Sequence, residues 1–133
     1  MSALASISAK DYMSTELVTF TPDMEVMTAI NTLVKHRLSG APVLDAKGHM
    51  VGLLSERDCL KVALTAGYEG VPGGVVSEYM THSAATVEAD TSLLEIASRF
   101  LDSPYKRFPV MKNGKLVGQI SRSDVLRAIN ELC

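Results

Sequence analysis

Two serine–aspartate pairs are the residues best placed to do chemistry in this chain: Gly52-Leu-Leu-Ser55-Glu-Arg-Asp58 and Gly118-Gln-Ile-Ser121-Arg-Ser-Asp124. In each, a hydroxyl and a carboxylate stand three residues apart where an apolar run gives way to a helical pattern. So placed, they can hold the diol of a ribose while the free amides of the helix start face its phosphate. The same spacing is that of a capping box, in which the serine accepts from an amide one turn on and the acid reaches back. The motif alone leaves both readings open. Neither serine has a histidine close in its motif, so both suit ligand binding better than nucleophilic attack.

A second pattern lies upstream of each pair, in His36-Arg37-Leu38-Ser39-Gly40-Ala41-Pro42-Val43 and Ser103-Pro104-Tyr105-Lys106-Arg107-Phe108-Pro109-Val110. A proline within a strand cannot donate its amide, so it marks an edge or an opening. A flat ring could enter there, with Lys106 or Arg107 reaching a phosphate. Arg37, Lys106 and Arg107 read equally well as solvated surface charges. Arg57 and Arg122 stand at different places within their motifs and carry little weight. His36, His49 and His82 lack the spacing of a metal site. Cys59, in a helical stretch opposite Val125, reads as a small buried hydrophobe.

Both patterns recur because the chain is duplicated, with a single one-residue slip where Asp45-Ala46-Lys47-Gly48 faces Lys112-Asn113-Gly114. Identical residues fall at Tyr12/Tyr79, Met13/Met80, Thr19/Thr86, Asp23/Asp90, Pro42/Pro109, Val43/Val110, Gly52/Gly118, Ser55/Ser121 and Asp58/Asp124. Each copy predicts strand, helix, strand, tight turn, strand, helix. In the first copy the strands are Leu17 to Phe20, Ala41 to Leu44 and Met50 to Leu54. Val26, Ala29, Ile30, Leu33 and Val34 carry its first helix. In the second copy the strands are Ala84 to Val87, Phe108 to Met111 and Leu116 to Ile120, with Leu93, Leu94, Ile96, Ala97, Phe100 and Leu101 on the helix. Lys47-Gly48 and Asn113-Gly114 are hairpin signals. The second helices run from Glu56 to about Leu64 and from Arg122 to about Leu132. Residues 1–66 thus form a first repeat with a lead-in, 67–77 a Gly/Pro-rich connecting loop expected to be mobile, and 78–133 a second repeat. Neither copy can bury its apolar face alone, so the two are expected to share a core about a pseudo-twofold axis, with two related clefts.

The 133 residues suffice for one ordinary domain and not for two independent ones. Hydrophobic content of 47% with a net charge of -2 describes a globular protein without the basic excess that nucleic acid requires. No stretch approaches a membrane helix, and no basic-then-apolar leader opens the chain, so a cytoplasmic setting away from membranes is the expectation.

The duplicated unit, with its Pro-Val strand starts, its Gly-x-x-Ser-x-x-Asp endings and its paired helices, resembles a tandem pair of CBS domains over about Asp11 to Leu132. The resemblance implies an α/β (α+β) fold of two βαββα repeats forming one disc-like module, commonly paired with a second disc. It also implies regulatory binding of adenosine derivatives, namely AMP, ADP, ATP or S-adenosylmethionine, with no required cofactor and no catalysis. In that family each cleft draws its Ser/Thr-x-x-Asp from one repeat and its base-binding strands from the other. Carried over, the first cleft combines Ser55 and Asp58 with Ala84, Ala85, Phe108 and Pro109. The second combines Ser121 and Asp124 with Leu38, Ser39, Gly40, Pro42 and Thr15. Lys106 and Arg107 are the implied phosphate partners. They face Ser39-Gly40 in the other repeat, so positive charge is lopsided.

Val26, Ile30, Leu33, Leu93, Ala97, Phe100 and Leu126 exceed what one sheet face needs, so a homodimer through the helices is expected. The leading reading is a sensor whose output passes to a separate effector protein. Its rivals are a structural dimerisation module with ligand-free clefts, whose Ser-x-x-Asp pairs only cap helices, and a small enzyme.

Overall fold

Two apolar runs fold back at the glycines that the turn chemistry singles out. Asn113 and Gly114 take φ of 52° and 77°, and Gly48 takes 83°, the positive angles that tight hairpins need. The longer first turn is fastened by Asp45, whose Oδ1 accepts the amides of Lys47 and His49 at 2.9 Å each.

The structure is a computed structural model and describes residues 3–69 and 73–133. In chain order its helices and strands are α1 (Ala3–Ser6), α2 (Ala9–Tyr12), α3 (Val26–His36), β1 (Gly40–Leu44), β2 (Met50–Ser55), α4 (Glu56–Glu69), a 3-10 turn (Val76–Glu78), β3 (Val87–Glu88), α5 (Leu93–Leu101), β4 (Arg107–Lys112), β5 (Lys115–Ser121) and α6 (Arg122–Leu132). The mixed helix and strand fold is the α+β class expected. β1 pairs antiparallel with β2, β4 pairs antiparallel with β5, and β3 joins β4 in parallel. Both hairpins shift register at the same place, between Val43 and Leu44 and between Val110 and Met111. The one-residue slip of the sequence is therefore absorbed in the turns and leaves the strands equivalent.

Five local expectations change. The strand expected at Leu17 to Phe20 is a single parallel bridge from Phe20 to Val43, and the one at Ala84 to Val87 is the two-residue β3. In both places the chain turns away at once, through Pro22 and through a turn from Glu88 to Thr91. α4 runs past Leu64 and through Gly67 to Glu69. One glycine costs a helix about 1 kcal/mol, too little to end a helix already anchored by the buried Val62. The expected connecting loop at 67–77 thus begins in α4, has Gly70, Val71 and Pro72 outside the described residues, and ends in a 3-10 turn whose Val76 is wholly buried. The short helices α1 and α2 lie where no element was expected.

Packing divides the described chain into two compact units, residues 18–84 and residues 1–17 with 85–133. In the first, Phe20, Ala29, Leu33, Val43, Leu54 and Val76 make the core. In the second, Leu4 and Ala9 join Leu93, Ile96, Phe108 and Ile120, with Phe100 stacked on Phe108 at 4.6 Å between ring centres. These packing units differ from the repeats read in sequence, because each lead-in completes the hairpin of the other copy. Ser14 and Gln119 exchange backbone hydrogen bonds of 2.9 Å, and so do Thr81 and Leu53. The lead-in thereby covers a strand edge that would otherwise leave its amides unpaired.

Candidate functional site

Both Ser-x-x-Asp motifs sit where a hairpin's second strand becomes a helix, and both form capping boxes. Ser121 is extended, at φ -112° and ψ 167°, and its Oγ accepts the Asp124 amide at 3.2 Å while Asp124 Oδ2 accepts the Ser121 amide at 2.8 Å. The corresponding distances for Ser55 and Asp58 are 3.1 Å and 3.0 Å. Helix-start amides are thus satisfied in both copies, and the capping reading holds as geometry. Capping occupies one carboxylate oxygen. What the other oxygen does separates the two motifs.

The Asp58 carboxylate has five donor contacts from four groups. Its Oδ2 accepts the Ser55 amide and hydroxyl, each at 3.0 Å, its Oδ1 accepts Lys61 Nζ at 3.2 Å, and the Thr81 hydroxyl lies 3.2 Å from both oxygens. Its side chain is 6% exposed. At Asp124 the equivalent cation is Arg127, 3.3 Å from Oδ1. The Ser121 hydroxyl there lies 3.4 Å from Ser123 Oγ, and the Asp124 side chain is 21% exposed. Arg127 also spans the Tyr12 ring at 4.9 Å and donates to the Tyr12 carbonyl at 3.1 Å. Beside Asp58, burial pushes the Cys59 thiol up, helped by the charges of Asp58 and Glu56. Cys59 is half-buried, less enclosed than expected.

The strand starts adjoin the motifs of their own repeats. Gly40 pairs with Ser55, and the Ser39 carbonyl accepts the Glu56 amide at 2.9 Å. Arg107 pairs with Ser121, and the Lys106 carbonyl accepts the Arg122 amide at 3.1 Å. Leu38 is half-buried, and Pro42, Phe108 and Pro109 are buried. Leu38, Ser39, Gly40, Pro42, Ser55, Asp58 and Ala84 belong to one compact unit; Thr15, Ala85, Lys106, Arg107, Phe108, Pro109, Ser121 and Asp124 belong to the other. Thr15, Ala85 and Lys106 are exposed.

Arg122 clamps the loop before β4, with Nε 3.0 Å from the Tyr105 carbonyl and a terminal nitrogen 3.4 Å from that of Ser103. Two polar atoms in this neighbourhood, Ser103 Oγ and Arg107 Nε, are buried without a hydrogen-bond partner among the described residues. A buried unpaired donor costs about 1–3 kcal/mol, so such atoms invite an acceptor. An anion is an acceptor suited to each of them, a guanidinium N–H and a hydroxyl.

Comparison with known proteins gives the family. The CBS domain profile matches residues 9–65 and 76–131. The chain belongs to the CBS domain family. As a CBS pair it is similar to the crystal structure of CBSX2 in complex with AMP, at 29% identity and TM-score 0.81 over 93% of this chain and 96% of that one; CBSX2 is a CBS-pair protein of Arabidopsis thaliana. It is also 32% identical to the chloroplastic CBSX1 of Arabidopsis thaliana over 80% of this chain, and 28% identical to an uncharacterized 17.7 kDa protein of Acidianus ambivalens over 87% of this chain. The CBS pair spans 69% of the Acidianus protein but only 56% of CBSX1.

Sequence reasoning passed over four residues of these sites: Ser103, Thr81, Lys61 and Arg127. Lys61 and Arg127 had a signal, a cation three residues after the aspartate in both repeats. Thr81 had none, since nothing local links it to Asp58. Among the described residues of this CBS pair, no helix is long and apolar enough to cross a membrane.

Proposed function

We propose that this CBS pair is a regulatory, non-catalytic module that binds an adenosine derivative, of the class of AMP, ADP, ATP or S-adenosylmethionine. In this reading a Ser-x-x-Asp motif holds the sugar diol, and the cations at the start of β4, Lys106 and Arg107, hold the phosphate. The observation that carries it is the pair of unpartnered buried atoms, Ser103 Oγ and Arg107 Nε, beside Arg122. The likeness to CBSX2, which was crystallised with AMP, supports the choice of ligand class. The strand starts are the proposed base-binding segments, Phe108 and Pro109 in one repeat and Leu38, Ser39, Gly40 and Pro42 in the other.

Homodimerisation is part of the same proposal. Met27 and Leu94, Val34 and Leu101, and Leu60 and Leu126 occupy equivalent repeat positions and are all exposed. A single-chain core does not require apolar side chains there, whereas a helical interface between copies does. Output passes to an effector protein or to a further part of a longer chain. A cytoplasmic setting completes the reading, in keeping with the free thiols of Cys59 and Cys133.

A thermal-shift panel of AMP, ADP, ATP, S-adenosylmethionine and NAD tests the proposal. Ligand at 100 times its dissociation constant stabilises the fold by about 2.7 kcal/mol. The capping boxes at both motifs favour a second reading, a structural dimerisation module that binds none of these. No shift with any of the five decides for that module.

A further inference from the structure

The two Ser-x-x-Asp motifs are alike in sequence and unlike in hydrogen bonding. A carboxylate offers about four lone-pair sites. At Asp58 they are met from within the chain by the Ser55 amide and hydroxyl, Lys61 and the Thr81 hydroxyl. Thr81 comes from the other lead-in, held against Leu53 by two backbone bonds of 2.9 Å. As a β-branched residue it has few side-chain rotamers, so its hydroxyl is held over the carboxylate.

At the second motif the lead-in residue in the same position is Ser14, held in the same way against Gln119. Among the described residues its hydroxyl makes no hydrogen bond to Asp124. Among the described residues Asp124 accepts only the Ser121 amide and Arg127, and its side chain keeps more than three times the exposure of Asp58. The Ser121 hydroxyl leaves the carboxylate alone and lies by Ser123. Oxygen lone pairs thus remain open at this motif, on the repeat that also carries Lys106 and Arg107 at the start of β4.

We propose that the Thr81 hydroxyl takes, at Asp58, the place that a ligand hydroxyl takes at Asp124, so that each chain binds one adenosine derivative, at Ser121 and Asp124, while Ser55 and Asp58 form a self-satisfied structural site. Thr81 is then the residue that selects between the two motifs. The inference rests on the ligand reading above and narrows it to one of the two copies. It also gives Asp58 a role of its own, tying a lead-in to the start of α4.

Isothermal titration with AMP tests the selection. The wild type is expected to bind one AMP per chain, Asp124→Asn to weaken it tenfold to a hundredfold, and Asp58→Asn to keep the affinity within about twofold while lowering Tm. Thr81→Ala, which keeps the Asp58 carboxylate and frees its lone pairs, is expected to add a second, weaker binding event. It also serves if Asp58→Asn does not fold. A double-mutant cycle on urea unfolding, pairing Asp58→Asn with Thr81→Ala, is expected to show coupling of about fivefold or more in the unfolding constant, and Asp124→Asn with Ser14→Ala none. AMP binding that survives Asp124→Asn and is lost with a folded Asp58→Asn overturns the selection alone. Two AMP per wild-type chain, or a single event in Thr81→Ala, does the same. Where ADP, ATP, S-adenosylmethionine or NAD binds in place of AMP, the same titrations are read with that compound; absence of wild-type binding by all five removes the ligand reading and this inference with it, even where the Asp58–Thr81 coupling is found.

Discussion

Met13 lies so close against Gly118 that a Cβ at 118 would stand 2.6 Å from its sulfur and 2.7 Å from the Ser14 carbonyl. Met80 and Gly52 repeat the relationship, with 2.7 Å to the sulfur and 2.8 Å to the Thr81 carbonyl. The glycine that opens each Gly-x-x-Ser-x-x-Asp motif is therefore a docking point for the other repeat's lead-in. It lets two backbones meet closely enough to exchange hydrogen bonds, which in turn sets Thr81 over Asp58 and Ser14 near the second motif.

Gly52→Ala and Gly118→Ala are accordingly expected to destabilise the fold by about 1–3 kcal/mol each, as overpacking does. Adding Met13→Ala to Gly118→Ala recovers only part of the loss, because the Ser14 carbonyl is backbone and cannot swing away. Urea denaturation of the three variants measures this. Wild-type stability in Gly118→Ala would contradict the close approach.

Ser121→Ala separates capping from binding. Loss of the N-cap costs about 0.5–2 kcal/mol of stability. If the hydroxyl also meets a ligand diol, AMP affinity falls about threefold to tenfold beyond that, an effect of about 1 kcal/mol for a neutral hydrogen bond. Titration against folded variant at a temperature well below its Tm reads the two effects apart.

The first hairpin turn should be acid-sensitive. The His49 amide, ahead of that of Lys47, holds the Asp45 carboxyl below its usual pKa, against a smaller opposing effect of burial. A carboxyl depressed on folding contributes stability above its unfolded pKa of about 3.9 and loses it as pH falls through the lower folded value. Asp45→Asn is thus expected to flatten the decline of Tm between pH 5 and pH 2 (roughly the window set by that pKa). Parallel curves for variant and wild type would show that the turn bonds carry no such linkage.

Thiol labelling provides a check on burial. Cys133 is exposed and Cys59 is half-buried, its pKa raised first by burial and then by the charges of Asp58 and Glu56. At pH 8 Cys133 is expected to react with a disulfide reagent at least tenfold faster than Cys59, since the thiolate is the attacking form. Comparable rates would place Cys59 in a more open setting.

Dimer formation through the helices is tested at Leu126, one of the apolar helix residues in excess of what one sheet face needs, which is 64% exposed in the single chain. Leu126→Glu puts a charge on an apolar helix face. Light scattering is expected to report a dimer for the wild type and a monomer for the variant, with little change in monomer stability, since surface substitutions stay within about 0.5 kcal/mol. A monomeric wild type would remove the dimer from the proposed function.

The hairpin turns, the helix starts and the bulk of the core were legible in the residues because each depends on chemistry within a few positions. Asn113-Gly114 needs positive φ wherever it stands, and Ser121 caps α6 with an acid three residues on. Val26, Leu33, Leu93 and Phe100 fall on the buried side by helical period alone. Leu126 does not, because apolar character cannot say whether the neighbour that covers it belongs to the same chain.

Duplication, turn positions and the two Ser-x-x-Asp motifs were thus determined by the sequence itself, through short-range steric and hydrogen-bonding rules. Which lead-in closes which hairpin was decided only in three dimensions, and so was the difference between the two aspartates. Ser55–Asp58 and Ser121–Asp124 are the same pattern by every local criterion. They part company because a threonine 23 residues beyond Asp58 returns to its carboxylate, a contact that depends on the path of the chain and leaves no trace in the motif.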